Sequence, residues 1–447
     1  MTHADVLDAH YRDLEDGINI SDTGDYGTLV TPNGNSSQPV HRWFHFKEAF
    51  SHRLLERVVK DEGLATRAKG LRVFDPFTGS ATTAVSLAQG TQGDVFTSAR
   101  FYGVECNPFL HTLGSAKMAA LLRPPEGFIE FAKAVVAATA SQSLERSAGI
   151  GLSTFTKEAY FPAANVKQLL QLRLACRQLS ESVDPTTQLL AATCLASSVE
   201  PASRLRRDGR TLRFSPGKVP LDPAAVFLAT AQRIEEDLPS GPVDMQAEIT
   251  LADVRDGLVG ASFAGIDLAL FSPPYPNNID YTEVYKLELW ALGLVGSSSD
   301  FAAQRRRTLR SHGSLKWVDE YAYKAQPFAA EVDKILDPIL EAIPDSDRYT
   351  KYRRQLVMGY VDDMLRVISE VHEVLRPGGV MACVVGNSLH GKPGEQVLIA
   401  ADLLIAQMAV LVGLEVTHIE VARRPKRRIA HSEYLRESVV FARKKAI

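Results

Sequence analysis

Residues 71–90, LRVFDPFTGSATTAVSLAQG, decide the fold. The apolar run that ends at Asp75 predicts a short buried strand, and the residues after Ser80 predict a helix that ends near Gly90. Between them, Pro76 stiffens the exit from the strand, and Gly79 lets a ligand approach the backbone without a Cβ in the way. A strand, a glycine turn and a helix in this order are typical of the ligand-binding edge of a parallel α/β sheet.

Seven strand candidates surround this stretch, and they begin near residues 71, 101, 247, 266, 379, 414 and 437. The first five alternate with helical segments, which favours a mostly parallel sheet, and the last two are typical of a closing antiparallel pair. A long Ala- and Leu-rich stretch interrupts the alternation and is too long for a structureless loop. We therefore predict an α/β fold, a doubly wound seven-stranded Rossmann-like sheet with an inserted, mainly helical subdomain.

Composition places few limits on function. The chain has 447 residues and a formal net charge of −3, which does not by itself indicate a nucleic-acid binder, although net charge hides local basic clusters. Without a signal-peptide pattern or a long apolar run, we expect a soluble cytoplasmic protein with no membrane contact. Scattered cysteines without a CxxC pair predict no metal site and no disulfides. We interpret three histidines near the N-terminus as structural or surface residues: His41, His45 and His52.

Two carboxylates end successive strand candidates. Asp75 ends the first strand, and Glu105 ends the second, where an acid can accept hydrogen bonds from both hydroxyls of an adenosine ribose. Ser80, Thr82 and Thr83 can cap the next helix or donate to a ligand carboxylate, which a helix N-terminus also favours. Either acid alone could be an ordinary strand-end residue. Together they favour a nucleoside cofactor.

The sequence Ser272-Pro273-Pro274-Tyr275 follows another apolar strand candidate. Two prolines supply no N–H, so the carbonyls around them are rigidly held and left unpaired. An exocyclic amino group on a base is planar and a poor nucleophile. Acceptors that hold its two N–H bonds favour the more nucleophilic pyramidal geometry. We predict that Tyr275 stacks on such a base; the alternative interpretation is a Pro-rich turn that only closes a strand.

Taken together, DPFTGSATT (75–83), VEC (104–106) and SPPY (272–275) resemble the DNA amino-methyltransferases, which methylate adenine N6 or cytosine N4. One departure from the pattern is Ala81, which stands where this loop usually has a second glycine, and whose methyl group would tighten the cofactor pocket. The resemblance extends over most of the chain and includes three further stretches. HRWFHFKEAFS (41–51) resembles the segment that closes over the methionine end of the cofactor, and LADVRDG (251–257) resembles the motif whose acid, here Asp253, contacts the adenine of the cofactor. VLRPGGVMACVVGNS (374–388) resembles a later strand of the sheet.

The resemblance implies S-adenosyl-L-methionine as the cofactor and double-stranded DNA, with the target base flipped out of the helix, as the partner. It implies four catalytic residues: Ser272, Pro273, Pro274 and Tyr275. The cofactor-binding residues that it implies are Lys47, Ser51, Asp75, Pro76, Phe77, Thr78, Gly79, Ser80, Thr82, Thr83, Glu105, Cys106, Asn107 and Asp253.

We predict four segments. Residues 1–70 form a loop and a helix that close over the cofactor, with the helix within 44–60, and residues 71–124 form the cofactor-binding part. Residues 125–245 form a helical insertion that could recognise DNA, and residues 246–447 form the catalytic part. Ser272 is common in cytosine-N4 enzymes, whereas adenine-N6 enzymes more often have Asp or Asn, so cytosine N4 is favoured.

Arginine clusters are candidates for phosphate contacts, although such a run can also be a solvated face. The predicted DNA-binding residues are Arg204, Arg206, Arg207, Arg305, Arg306, Arg307, Arg427 and Arg428. The open alternatives are an adenine-N6 enzyme, an RNA guanine-N2 methyltransferase, a protein-glutamine methyltransferase and a non-catalytic binding protein. A restriction-modification or phage-defence role, with or without other subunits, is also left open.

Overall fold

The computed structural model describes residues 3–64, 70–143, 151–208, 211–257, 264–277, 279–344, 350–392, 395–425 and 432–446. Its strands are β1 (Ile20–Ser21), β2 (Arg72–Asp75), β3 (Ala99–Glu105), β4 (Leu205–Arg207), β5 (Leu212–Phe214), β6 (Met245–Leu251), β7 (Ile266–Phe271), β8 (Leu375–Gly386), β9 (Ser388–His390), β10 (Val397–Ile399), β11 (Leu414–Arg423) and β12 (Glu437–Lys444). Its α-helices are α1 (His3–Glu15), α2 (Leu54–Asp61), α3 (Thr82–Gln92), α4 (Pro108–Leu122), α5 (Phe128–Thr139), α6 (Ser153–Thr156), α7 (Ala163–Ser180), α8 (Pro185–Val199), α9 (Pro223–Asp237), α10 (Tyr281–Val284), α11 (Lys286–Ala291), α12 (Ser298–Arg306), α13 (Ala329–Glu341), α14 (Thr350–Val374) and α15 (Ala401–Leu411).

The main sheet has eight strands in the order β1-β11-β12-β8-β7-β2-β3-β6. Strands β6, β3, β2, β7 and β8 run parallel, whereas β12 is antiparallel to both β8 and β11. All seven predicted strands are present, as is the closing antiparallel pair. The eighth strand, β1, pairs parallel to β11 and lies in a stretch whose composition is typical of a loop.

Side chains that alternate along the strands fill two hydrophobic cores, one on each face of the sheet. In β7, Leu268 and Leu270 point into one core, while Ala269 and Phe271 point into the other. The first core holds α3, α4 and helices from residues 125–245, and the second holds α14 and α15. Burial on both faces explains why β7 and β8 are nearly continuous apolar runs, and it confirms the doubly wound arrangement.

The predicted insertion does not stand apart from the sheet. Phe128, Leu169, Leu190 and Phe227, on helices α5, α7, α8 and α9, share one core with Val73 of β2. Between α8 and α9, β4 and β5 form an antiparallel hairpin. This part of the chain is mainly helical, as predicted, and it adds a layer to one face of the sheet.

The N-terminal part differs from the prediction of one helix within residues 44–60. Helix α2 begins only at Leu54, because Ser51 and Phe50 instead belong to a loop that is tied to Leu29 and Asn35 by hydrogen bonds. Helix α1 was not predicted. It packs on the second core, where the hydroxyl of Tyr11 donates to the Leu398 carbonyl at 2.7 Å.

No described helix is long and apolar enough to cross a bilayer. Within the same ranges, no group of three or more His, Cys, Asp or Glu side chains is arranged to hold a metal ion.

Candidate active site

The carboxyl ends of the parallel strands meet at one edge of the sheet. Asp75 ends β2, Glu105 ends β3, and Ser272 follows β7. Because β2 lies between β3 and β7, the two acids and the serine are brought to the same side. They line one cavity of about 330 Å³. Such an edge is where open α/β sheets bind ligands.

The cavity brings together most of the residues that the sequence predicts for cofactor and catalysis. Ser51 and Thr83 are the two exceptions: the Ser51 hydroxyl donates to the Asn33 carbonyl, and the Thr83 hydroxyl donates to Asp75 at 3.0 Å, so both hydroxyl groups are engaged with protein groups. The predicted residues that line the cavity are Lys47, Asp75, Pro76, Phe77, Thr78, Gly79, Ser80, Thr82, Glu105, Cys106, Asn107, Asp253, Ser272, Pro273, Pro274 and Tyr275.

Glu105 is fixed by the backbone on both sides of its carboxylate. One oxygen accepts from the Asn107 N–H at 2.7 Å, and the other accepts from the Gly79 N–H at 2.8 Å. These bonds tie the end of β3 to the glycine turn after β2. The Cys106 N–H also contributes a hydrogen bond, and since a carboxylate offers about four lone-pair sites, Glu105 can still accept a hydrogen bond from a ligand.

Burial raises the pKa of both acids to about 7. In Asp75 the charge of Glu105 adds to this effect, while the Phe77 N–H and the Thr83 hydroxyl oppose it. Backbone N–H groups oppose the rise in Glu105. A ligand whose hydroxyl groups donate to Glu105 would favour the ionised carboxylate and lower its pKa.

Phe46, within the segment 41–51, lies against the glycine turn. Gly79 has a φ of 53°, and a Cβ built there would lie 3.3 Å from the ring of Phe46. The Phe46 ring in turn stacks on Tyr285, with centroids 5.4 Å apart. A side chain at position 79 would therefore force the Phe46 ring to shift, and the positive φ would add backbone strain.

Ala81 also takes the left-handed conformation, with a φ of 61°, which explains why a glycine is usual there. Its methyl group is buried in the core and does not line the cavity, contrary to the expectation that it tightens the cofactor pocket. It packs towards Gly114 on α4. From the same helix, the buried ammonium group of Lys117 donates to the Ser80 carbonyl at 2.9 Å and holds the turn.

Two predicted cofactor contacts are engaged with protein groups. Asp253 forms an ion pair with Arg255, and Arg255 also bonds Asp363 on α14. Lys47 lines the cavity, but its ammonium group donates to the Arg207 carbonyl at 2.7 Å. A ligand at these two positions would share them with their protein partners.

The SPPY turn is linked by side-chain contacts to β12 and β11 of the sheet. The Ser272 hydroxyl lies 3.2 Å from the Tyr275 hydroxyl, which donates to Glu437 at 3.0 Å. Glu437 also forms an ion pair with Arg423. One side of the Tyr275 ring lies on Gly386, where a Cβ would come within 2.9 Å of a ring carbon.

Sequence reasoning missed several polar residues of this cavity. Glu48 accepts a hydrogen bond from Tyr285, and burial raises the pKa of its carboxyl group. Tyr281 hydrogen-bonds with the backbone of Tyr275 and the side chain of Asn277. The signal for Glu437 was its place at the start of the last strand, because an antiparallel strand begins where its parallel neighbours end.

The arginine clusters divide by exposure. Arg207 is only 8% exposed, because it forms ion pairs with Glu200 and Glu288. Arg204 donates to the carbonyl oxygens of residues 158 and 159, and Arg305 pairs with Asp280. The exposed members are Arg206, Arg306 and Arg307, and Arg307 lines the cavity. Arg427 and Arg428 lie outside the described residues.

The chain is similar to two curated relatives along most of their length. It is 23% identical to the type II methyltransferase M.BsoBI of Geobacillus stearothermophilus over 442 residues, 89% of this chain and 83% of the relative. It is 24% identical to the type II methyltransferase M.AvaI of Nostoc sp. over 425 residues, 88% of this chain and 83% of the relative. These relatives support a DNA methyltransferase family. No family model matches the chain.

Among solved structures, a Thermus thermophilus protein described as a putative DNA modification methylase was determined in complex with S-adenosyl-L-methionine. It is 21% identical and covers 21% of this chain and 40% of its own, with a TM-score of 0.19, so we draw nothing about the reaction from it.

S-adenosylmethionine is the cofactor that the methyltransferase relatives and the cavity support. The residues fit this group. The Glu105 carboxylate can still accept a hydrogen bond from a ribose hydroxyl, and a glycine at position 79 leaves room that a Cβ would fill. The hydroxyl groups of Ser80 and Thr82 lie at the start of α3, where the helix N-terminus favours a carboxylate.

Proposed function

We propose that this protein transfers a methyl group from S-adenosylmethionine to an exocyclic amino group of a base in double-stranded DNA, with cytosine N4 favoured over adenine N6. The observation that carries the proposal is the shared cavity. Asp75 and Glu105 of the cofactor edge and Ser272 to Tyr275 of the SPPY turn line the same space. Two type II methyltransferases with related sequences support it.

The chemistry divides between the cofactor and the protein. S-adenosylmethionine supplies an electrophilic methyl group. Ser272 and the Pro273 carbonyl would accept the two amino hydrogens, which localises the nitrogen lone pair for attack. Tyr275 would hold the extruded base by stacking, and the apolar wall around Phe46 and Pro274 would exclude water.

The test uses the whole protein and labelled S-adenosylmethionine. We expect label to be transferred to double-stranded DNA, and nucleoside mass spectrometry to identify N4-methylcytosine. N6-methyladenine would keep the enzyme class and change the base. Transfer to RNA alone, with methylated guanine as the product, would refute the proposal and favour the RNA alternative.

The serine at position 272 supports the choice of cytosine through the resemblance alone, since no described contact distinguishes the two bases. Relatives named type II methyltransferases further support a restriction-modification role for the site. A natural test of that role is whether DNA that the protein has methylated resists a restriction endonuclease.

The β4–β5 hairpin is our candidate for a phosphate contact. Arg206 and Arg213 lie directly opposite each other in its register. Like charges at opposite positions destabilise a hairpin, and Arg213 is only partly neutralised by Asp208, at 3.3 Å. A phosphate bound between the Arg206 and Arg213 side chains would relieve this repulsion.

We expect the double variant Arg206→Gln/Arg213→Gln to reduce the slope of log affinity against log salt for DNA by about two, because each phosphate contact contributes about 0.9. The slope is measured from DNA binding at several salt concentrations. Arg177→Gln, an exposed arginine on α7, is the matched control and should leave the slope unchanged. An unchanged slope in the double variant would assign the hairpin arginines to a solvated surface.

A further inference from the structure

Four side chains form a continuous chain of contacts from the SPPY turn to β11. Ser272 contacts the Tyr275 hydroxyl at 3.2 Å, Tyr275 contacts Glu437 at 3.0 Å, and Glu437 forms an ion pair with Arg423. All four residues line the cavity. Only 8% of the Glu437 side chain is exposed, so water does not compete freely for its carboxylate.

The chemistry of the two ends fixes the direction of every hydrogen bond between them. Arg423 can only donate, and the carboxylate of Glu437, as its ion-pair partner, can only accept. The Tyr275 hydroxyl must therefore donate to Glu437. Burial raises the pKa of this phenol, which keeps the proton that it donates.

Because the single proton of Tyr275 is used on Glu437, its oxygen is left to accept from Ser272. The Ser272 hydroxyl then donates its own proton in a hydrogen bond to the Tyr275 oxygen. What Ser272 presents to the rest of the cavity is lone pairs alone. A serine hydroxyl can in general donate or accept, but this one is held as an acceptor.

We propose that Glu437 is a positioning residue that acts through Tyr275 to hold Ser272 as a hydrogen-bond acceptor for the amino group of the target base. The inference rests on the proposed function and deepens it. It explains how a serine hydroxyl group can serve at the position where the adenine-N6 enzymes of the family that the sequence resembles more often have the side-chain oxygen of Asn or Asp. The role that these contacts have is to set the polarity of the hydrogen bonds along the chain.

Glu437→Gln should reverse that polarity. Arg423 can only donate, so it would hold the amide oxygen of the new glutamine, and the amide NH₂ would face Tyr275 and donate to it. Tyr275 would then donate to Ser272 and block one of its lone pairs. We expect the single-turnover rate of methyl transfer to fall roughly tenfold or more, the effect of one hydrogen bond made in the transition state.

The decisive comparison is with Ser272→Ala. If Glu437 acts through Ser272, Glu437→Gln has no further effect on the rate in the Ser272→Ala background. Tyr275→Phe breaks the same chain while keeping the ring, so it should also lower the rate roughly tenfold and should also have no further effect beside Ser272→Ala. Binding of S-adenosylmethionine should be unchanged in Glu437→Gln and in Tyr275→Phe.

Glu420→Gln is the matched control, because Glu420 is a buried acid on β11 that accepts from Thr23 and does not line the cavity. It should transfer methyl groups at the unaltered rate. The proposal would be overturned if Glu437→Gln lowered the rate of methyl transfer by the same factor in the unaltered protein and in the Ser272→Ala background. An unchanged rate in both Glu437→Gln and Tyr275→Phe would overturn it as well. If the unaltered protein methylates no DNA at all, the proposed function fails first and the inference fails with it.

Discussion

Replacing Tyr275 with alanine is expected to lower the rate of methyl transfer about a hundredfold, since stacking of a base on an aromatic ring contributes about 1–3 kcal/mol and the lost hydroxyl contact about 1 kcal/mol more. The ring is well placed for this role. It lines the cavity, and Gly386 supports it from one side. Alanine would remove the ring and also release the Ser272 hydroxyl from its partner.

The comparison with Tyr275→Phe separates the two contributions. Phenylalanine keeps the stacking surface and loses only the hydroxyl group. Tyr275→Phe should therefore lower the rate of methyl transfer only about tenfold, as expected for one hydrogen bond. Single-turnover kinetics at saturating DNA and cofactor measures both. Tyr275→Ala that transfers methyl groups as fast as Tyr275→Phe would show that the ring does not hold the base.

The sequence predicted the parts of the site that depend on local pattern. A strand followed by a turn reveals where a carboxyl end lies, and Asp75, Glu105 and Ser272 were each found in this way. Parallel strands bring such ends to one edge, so the shared cavity followed from fold class alone. The seven strands were predictable for the same reason, because each is an apolar run bounded by turn residues.

What the sequence could not predict depends on distant partners. Tyr275 and Glu437 are 162 residues apart, and only the order of strands in the sheet brings them together. Arg207 belongs to an arginine-rich segment of the kind that contacts phosphates, yet its side chain is buried in ion pairs with Glu200 and Glu288. Strand β1 has two residues, Ile20 and Ser21, and pairing with β11 alone makes it a strand.

Glu105 is the second residue with a large expected effect. Glu105→Gln should weaken S-adenosylmethionine binding by about 1.5–3 kcal/mol, the range for hydrogen bonds to a charged group. Glutamine keeps one acceptor oxygen, but its NH₂ group would face either the Gly79 or the Asn107 N–H, where two donors would meet. Glu248→Gln, an exposed acid on the neighbouring strand β6, is the control and should bind normally in calorimetry.

The same carboxyl group should make cofactor binding depend on pH. Burial raises the pKa of Glu105 to about 7 in the unliganded protein, above its ordinary value of 4.5. Its contribution to the stability of the unliganded fold is therefore fully present below the ordinary value and is lost as pH rises towards 7. Cofactor affinity runs the other way, because ribose hydroxyls donate to the ionised carboxylate.

Affinity should accordingly rise as pH increases from about 5.5 to 7.5 and then level off, by up to about tenfold per pH unit for one linked proton. Asp75 titrates in the same range, so Glu105→Gln should flatten the profile in part, and the Asp75→Asn/Glu105→Gln double variant should flatten it further. Calorimetry in buffers of different ionisation enthalpy would count the proton released on binding. If the unaltered protein binds equally well at pH 5.5 and 7.5 without releasing a proton, Glu105 is already ionised in the free protein, and the expected link between its pKa and cofactor binding is wrong.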